Sequence, residues 1–322
     1  MKQILVVGEL NVDLVISGLE SLPALGQEIL AQEFHLVMGS SSAICAAGLA
    51  RLGATVDFLG KVGQDDYGKF VTHQLRQLGI GAQWIIRDPT APTGLTISLT
   101  YPQDRAMVTV PGSIDTLDAA EVTPHILARY NHLHVSSYFL QKKLQPGLPA
   151  LFRRARRAGL TISLDTGWDP EENWDSGVSS VLEEVDIFMP NAGEACAIAG
   201  VDDPELALRA LSQRAGLVVV KCGAEGAMTL QGDRVLHSPG FQVNAVDTTG
   251  AGDSFDAGFI YAYVVCKMPL AAALRFANAC GALSTTGYGG TAAQPTLQQV
   301  QDFYADLLSQ TDSAQGALAP CA

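Results

Sequence analysis

The nine residues DTTGAGDSF at 247–255 place two glycines and a carboxylate at a junction. Before them VLHSPGFQVNAV reads as strand and loop; after them DAGFIYAYVVCKMPLAAALRFANACGAL reads as buried helix. A helix start leaves backbone N–H groups unpaired and carries the positive end of the helix dipole, and glycine lets a ligand approach the backbone closely. Gly250, Ala251 and Gly252 therefore read as an anion hole suited to phosphate. Asp253 would repel that anion unless a metal and the N–H groups compensate. Its chemistry there is that of a general base, taking the proton from a hydroxyl that attacks the phosphate, and the helix start favours its ionised form. The plain alternative is an ordinary first-turn helix carboxylate. No Walker-type phosphate loop ending in Gly-Lys-Ser/Thr is present, and GELNVD after the first apolar run offers no dinucleotide-binding glycine triplet.

An α/β framework has to position that junction. QILVVGE (3–9), ATVDFLGKVG (54–63), LTISLD (160–165), VDIFMPN (185–191) and GLVVVKCG (216–223) are short apolar runs that read as strands. Helical patterns fall between them at 41–52, 66–78, 145–158, 192–199 and 203–214. Near-continuous apolar strands alternating with helices predict a doubly wound, mainly parallel sheet covered by helices on both faces. Residues 14–37 alternate apolar and polar without a helix signal, and 94–112 reads as a hairpin turning at PQDR. Together they predict a small β-sheet lid on one large domain, residues 1–310. The polar tail from 311 is expected to be disordered.

The bulk properties narrow the function. With 322 residues, 48% of them hydrophobic, the chain can bury one large core. The net charge of −13 and a single short basic run, RRARR at 153–157, exclude nucleic acid as a partner. Six scattered cysteines without metal-ligand spacing fit small core residues in a reducing compartment. The start MKQILVVGEL has no signal-peptide pattern, and the most apolar stretch, 254–266, is too short for a membrane span and carries Asp256. A soluble cytoplasmic protein is expected.

The whole chain, over about residues 1–309, resembles the ribokinase family, also called the phosphofructokinase-B family of carbohydrate and nucleoside kinases; DTTGAGDSF matches its C-terminal signature residue for residue. The resemblance implies ATP-dependent phosphorylation of a hydroxymethyl group on a small neutral sugar, with Asp253 as base and Gly250, Ala251 and Gly252 as the anion hole. NAGE (191–194) is similar to the family motif that positions Mg²⁺ and phosphates through water, by way of Asn191 and Glu194; the same residues also read as a helix cap with a capping box. KCGAEGA (221–227) resembles the nucleotide loop, with Lys221, Gly223 and Gly226 toward ATP, and Asn278 would stand close to the adenine. Asp247 and Thr249 resemble part of a monovalent-cation site, which would add K⁺ to the cofactors. Asn11 and Asp13 in GELNVD resemble the sugar-hydroxyl ligands, and strand ends are where ligands sit in such sheets.

Two stretches depart from the family pattern. Where two glycines and an Asn are usual, GSSSAICA (39–46) keeps Gly39 but has Ser40 and Ile44; Ser40, Ser41 and Ser42 would supply replacement donors to the acceptor or simply cap a helix. DTGWDP (165–170) puts Gly167 and Asp169 where many sugar kinases carry Asn and Arg, which disfavours anionic sugars. Ile44, Phe139 and Trp168 lean toward a nucleoside acceptor as the alternative. A third reading is a non-catalytic sugar- or nucleotide-binding regulator, against which the retained Asp253, Gly250, Gly252 and Glu194 argue. A homodimer through the lid is the expected assembly.

Overall fold

The strand runs found in the sequence are apolar at consecutive positions, so both faces of the sheet need a cover. The computed structural model describes residues 3–101 and 105–312. Its main sheet has nine strands in the order β13-β12-β11-β10-β9-β8-β1-β4-β5. These are β1 (Gln3–Val7), β4 (Thr55–Gly63), β5 (Gly81–Asp88), β8 (His132–Val135), β9 (Thr161–Leu164), β10 (Ile187–Phe188), β11 (Leu217–Lys221), β12 (Ala227–Gln231) and β13 (Arg234–Ser238). All pairings are parallel except β11–β12 and β12–β13.

Alternation along β1 shows how the covers work. Ile4 and Val6 join one core, Leu5 and Val7 the other. The first core takes α1 (Ser41–Arg51), α2 (Asp66–Gln77), α8 (Ala251–Phe259), α9 (Leu270–Ser284) and α10 (Leu297–Asp312). The second takes α3 (Pro124–Leu127), α4 (Leu148–Arg157), α5 (Val178–Leu182), α6 (Ala192–Ala199) and α7 (Pro204–Leu211). The chain leaves β1 toward β4 on one side and returns to β8 on the other, so the topological switch point lies at β1, where ligands gather in open α/β sheets.

Several elements differ from the sequence-based expectation for clear reasons. The strand expected at 185–191 shrinks to β10, because Pro190 has no N–H to continue a ladder, and the chain rejoins through one bridge between Asn191 and Lys221. β8 carries His132 and His134, whose polarity hid a strand that is fully buried; hydrogen bonds to Thr161, Ser163 and Ser136 satisfy both rings. The apolar stretch after Asp253 is two helices. α8 runs into a π-helical turn at Ile260–Val265, and Lys267 at φ 59° followed by Pro269 starts α9 afresh. The basic run on α4 is held by acidic partners, with Arg153 on Glu184 and Arg156 on Asp186. Cys45 and Cys280 are buried as expected, but Cys266 is exposed at the end of the π turn; Cys321 lies outside the described residues.

The second sheet has four strands in the order β3-β2-β6-β7: β2 (Asn11–Ser17), β3 (Glu33–Met38), β6 (Gly94–Thr100) and β7 (Arg105–Val110). The hairpin pairs through Thr100 and Arg105, while turn residues 102–104 lie outside the described part, as does the tail beyond 312. Register gives this sheet two different faces. Leu14 stands between Leu36 and Ile97, and Ile97 beside Val108, so one face is apolar. Asp13 stands between Val37 and Thr96 on the other.

Glu9, just past β1, fastens α1 to the sheet. Its Oε1 accepts the Ser42 N–H at 3.1 Å and its Oε2 the Ser42 hydroxyl at 2.5 Å, while its carbonyl accepts from Ser40 Oγ. Ser40, at φ 82°, in turn caps α1 by accepting from Ala43 N–H. Glu9 is buried, and burial raises its pKa against the pull of the Ser42 and Ser137 hydroxyls. Glu9→Ala leaves these donors buried without an acceptor. The expected result is a loss of roughly 1–3 kcal/mol of stability, read as a lower urea midpoint at unchanged slope.

Candidate active site

The C-terminal ends of the parallel strands deliver charged residues to one region. β9 leads into Asp165, β10 into Asn191 and Glu194, and β11 ends at Lys221. α8 adds Asp253 and Asp256 on adjacent turns of one face. Oxygens of Asp165, Asp253 and Asp256 all lie within 4.8 Å of one another, and all three residues are buried.

Gly250 adopts φ 72° as the cap of α8 and has no side chain with which to cap it. Ala251 N–H donates to the Thr248 carbonyl at 3.2 Å, which leaves Gly252 and Asp253 as the first-turn donors without a helical acceptor. Gly252 and Ala251 line a cleft of about 300 Å³ together with Lys221, Gly223, Gly226 and Asn278. A Cβ on Gly226 would stand 2.1 Å from the Ser238 carbonyl oxygen, so only glycine fits that wall. Asn278 holds the wall in place, donating from Nδ2 to Ser238 O at 2.9 Å and Pro239 O at 3.1 Å. Its amide nitrogen is thus engaged with the wall, while the residue itself lines the cleft.

Asp253 is not kept ionised by the helix start as the sequence suggested. Burial dominates and pushes its pKa up to about 7, with the neighbouring Asp165 adding to the rise and Lys221 and a hydrogen bond from Ser41 opposing it. A carboxyl group at that value is half-ionised near neutral pH and suits proton transfer.

The other residues singled out divide into those brought here and those spent elsewhere. Asn191 and Glu194 do form a capping box: Glu194 Oε2 accepts Asn191 N–H at 2.9 Å, and Asn191 Oδ1 accepts Glu194 N–H at 2.9 Å. Glu194 is nevertheless buried, and burial raises it to about 7. Lys221 lines the cleft and is ion-paired: its Nζ lies 3.0 Å from Asp165 Oδ2 and 3.1 Å from Asp256 Oδ2. Of the three serines, Ser40 and Ser42 are committed to Glu9 and the α1 cap, so only Ser41 reaches the carboxylate cluster. Asn11 Nδ2 donates to Asp13 Oδ1 at 2.8 Å, and Asp13 packs on Gly39, where a Cβ would meet it at 2.0 Å. Asp247 ties two loops, accepting Thr249 N–H and hydroxyl on Oδ1 and Gly289 N–H on Oδ2. Ile44 packs beneath Gly250 and Gly290, 3% exposed, and supports the glycine loop.

Sequence reasoning missed Glu9, and it did not give Asp165 and Asp256 a role. Asp256 stands three residues after Asp253, and that helical spacing was the available signal.

The same chain matches the model of the pfkB family carbohydrate kinases over residues 1–297. It is 28% identical over 307 residues to a ribokinase from Bacillus subtilis, covering 94% of this chain and 99% of that one. It is 30% identical over 309 residues to an ATP-dependent ribose-1-phosphate kinase from Halopiger xanaduensis, covering 95% and 99%. The fold is that of a fructokinase with bound ATP from Xylella fastidiosa, with a TM-score of 0.82, 24% identity and coverage of 95% and 99%. The match to the family model over residues 1–297 leads to one conclusion: this chain belongs to the pfkB family of carbohydrate kinases.

Proposed function

We propose that the protein transfers the γ-phosphoryl group of ATP to the hydroxymethyl group of a small neutral sugar. The observation that carries this reading is the placement of Asp253: a buried carboxyl at the first turn of α8, beside the glycine-lined cleft. Asp253 takes the proton of the acceptor hydroxyl, whose oxygen forms the new bond to phosphorus as the bond to the ADP oxygen breaks. The first-turn N–H groups, with Gly250 and Gly252 keeping the approach open, receive the charge on the transferring group. Asp13 and Asn11 accept and donate to vicinal hydroxyls of the acceptor, with Gly39 letting Asp13 lie flat and Ser41 beside them.

Glu194 has oxygen lone pairs beyond its capping bonds and is chemically suited to hold water on Mg²⁺, which would offset phosphate charge. Asp247 and Thr249 offer a hard-oxygen set suited to K⁺, in the loop that presents Gly250. The lid is proposed to pair with a second copy through its apolar face, where Phe34, Val108 and Val110 are exposed together. No helix among the described residues is long and apolar enough to cross a membrane, and a cytoplasmic location fits the reducing environment its cysteines suggest.

One observation favours a nucleoside acceptor as the second reading. Trp168 is 58% exposed and stands edge-on to Trp174, which rests on Phe139. Its loop is fixed by Asp169, which accepts the N–H groups of Glu171, Asn173 and Trp174. Asp169, Glu171 and Glu172 make that loop acidic, which argues for a neutral acceptor over a phosphorylated one.

Asp253→Asn is expected to lower kcat by ~10²–10⁴ with little change in ATP affinity. In the unaltered protein kcat/KM for the acceptor should rise with pH through about 7 and level off above it, because the base works only when deprotonated; the variant should lack this limb. Near-normal turnover by Asp253→Asn would assign the chemistry elsewhere. Asp13→Ala should raise the acceptor KM far more than the ATP KM, measured with ribose, fructose, cytidine and ribose 1-phosphate; unchanged acceptor KM values would move the acceptor site. Leu36→Asp with Val108→Asp should turn a dimer into a monomer in sedimentation equilibrium, and an unaltered protein that is already monomeric would refute pairing through the lid.

A further inference from the structure

Three carboxylates and one ammonium share the floor of the site, and their geometry is specific. Lys221 Nζ lies 3.0 Å from Asp165 Oδ2 and 3.2 and 3.1 Å from the two oxygens of Asp256. It also sits against the start of α8: a Cβ on Gly252 would stand 3.4 Å from Nζ. The partners come from three separate elements, the end of β9, the end of β11 and the second turn of α8. All are at most 10% exposed.

A buried ion group of this kind is weak as a source of stability. Desolvation cancels much of the Coulomb gain, and well-packed apolar replacements often do as well. Its location gives it a different use. We infer that Asp165, Lys221 and Asp256 act as one positioning unit for the proposed reaction: the two aspartates fix the ammonium beside Gly252, and the ammonium balances the charge of Asp253 and of the phosphate that enters. This inference rests on the reading of Asp253 as base.

The charge count supports the assignment. Lys221 holds Asp165 below the usual carboxylate range despite its burial, while burial drives Asp256 far above it, so that Asp256 is the protonated member and hydrogen-bonds to Asp165. Lys221 itself is raised by its acidic neighbours and stays charged. Asp253 and Glu194, both raised to about 7, are then the groups whose charge varies near neutrality. The groups facing Asp253 are Asp165 after β9, Lys221 on β11, Asp256 on its own helix, Glu9 after β1 and Glu194 on α6, with the Ser41 hydroxyl from α1.

The unit therefore has a signed signature. Lys221→Met removes the cation and should raise the Asp253 titration by about 1 unit or more; Asp165→Asn removes the anion and should lower it by a similar amount. The double variant Asp165→Asn, Lys221→Met removes an opposed pair, should fold where a single variant fails, and should return the titration toward its original position. Its kcat should still fall by ~10² or more, because the ammonium facing the phosphate is gone. Two readouts apply to each variant: carboxyl ¹³C NMR titration of Asp253 without substrates, and kcat/KM against pH. Opposite displacement in the single variants, or restoration in the double variant with lost kcat, is the expected result. Displacement in one direction only, no displacement, or a double variant with full kcat overturns the unit. Asp253→Asn separates the two readings: if it retains turnover the base assignment fails, whereas an inactive Asp253→Asn beside unmoved titrations condemns the positioning unit alone.

Discussion

Five buried carboxyl groups converge on a region that holds a single ammonium, and the site is organised by how each is satisfied. Ionised carboxylates removed from water need donors or a counter-charge. Glu9 takes the Ser42 N–H and hydroxyl and so fixes α1; Glu194 takes the Asn191 N–H groups and so fixes α6. Asp165 takes Lys221, and Asp256 gives up its charge. Asp253 receives the least, one hydrogen bond from Ser41 against full burial and the field of Asp165. Its poise near neutrality follows from that burial and from the charge of Asp165. Of the five, Asp165 beside the ammonium is held below the usual carboxylate range, and burial raises the other four.

Much of this was legible in the sequence, and the rest has physical reasons for being hidden. The parallel sheet showed itself because strands buried on both faces must be apolar throughout, as in LVVVK. The start of α8 showed itself because glycine at φ 72° and a carboxylate in the first turn are local features. β8 escaped because its two histidines are satisfied by hydroxyls on the neighbouring strand, which only the pairing register brings into reach. Asp165 and Asp256 escaped for the same reason: they are 91 residues apart and meet only at Lys221. Glu9 looked like a strand-end carboxylate, and nothing local told that its partner was Ser42.

The substitutions at 39–46 read differently once the packing is known. Ile44 stands where the family pattern has a polar residue, and its side chain fills the space that Gly250 and Gly290 leave free; a Cβ on Gly290 would come within 2.3 Å of it. Ser40 stands where the family pattern has its second glycine, and its hydroxyl, like that of Ser42, is consumed by Glu9. Helix α1 is thus a rigid buttress for the loop of Gly250, built from apolar contact and two buried hydroxyls. On the proposed reading, that leaves few polar groups on α1 for an acceptor, and discrimination between acceptors falls to the other walls. Asn11 and Asp13, joined by a hydrogen bond at 2.8 Å, lie on the polar face of the small sheet, and the exposed Trp168 stands on the loop held by Asp169: one surface suits hydroxyls, the other a flat apolar group. On the proposed reading, acceptor choice is set by the spacing of those two surfaces.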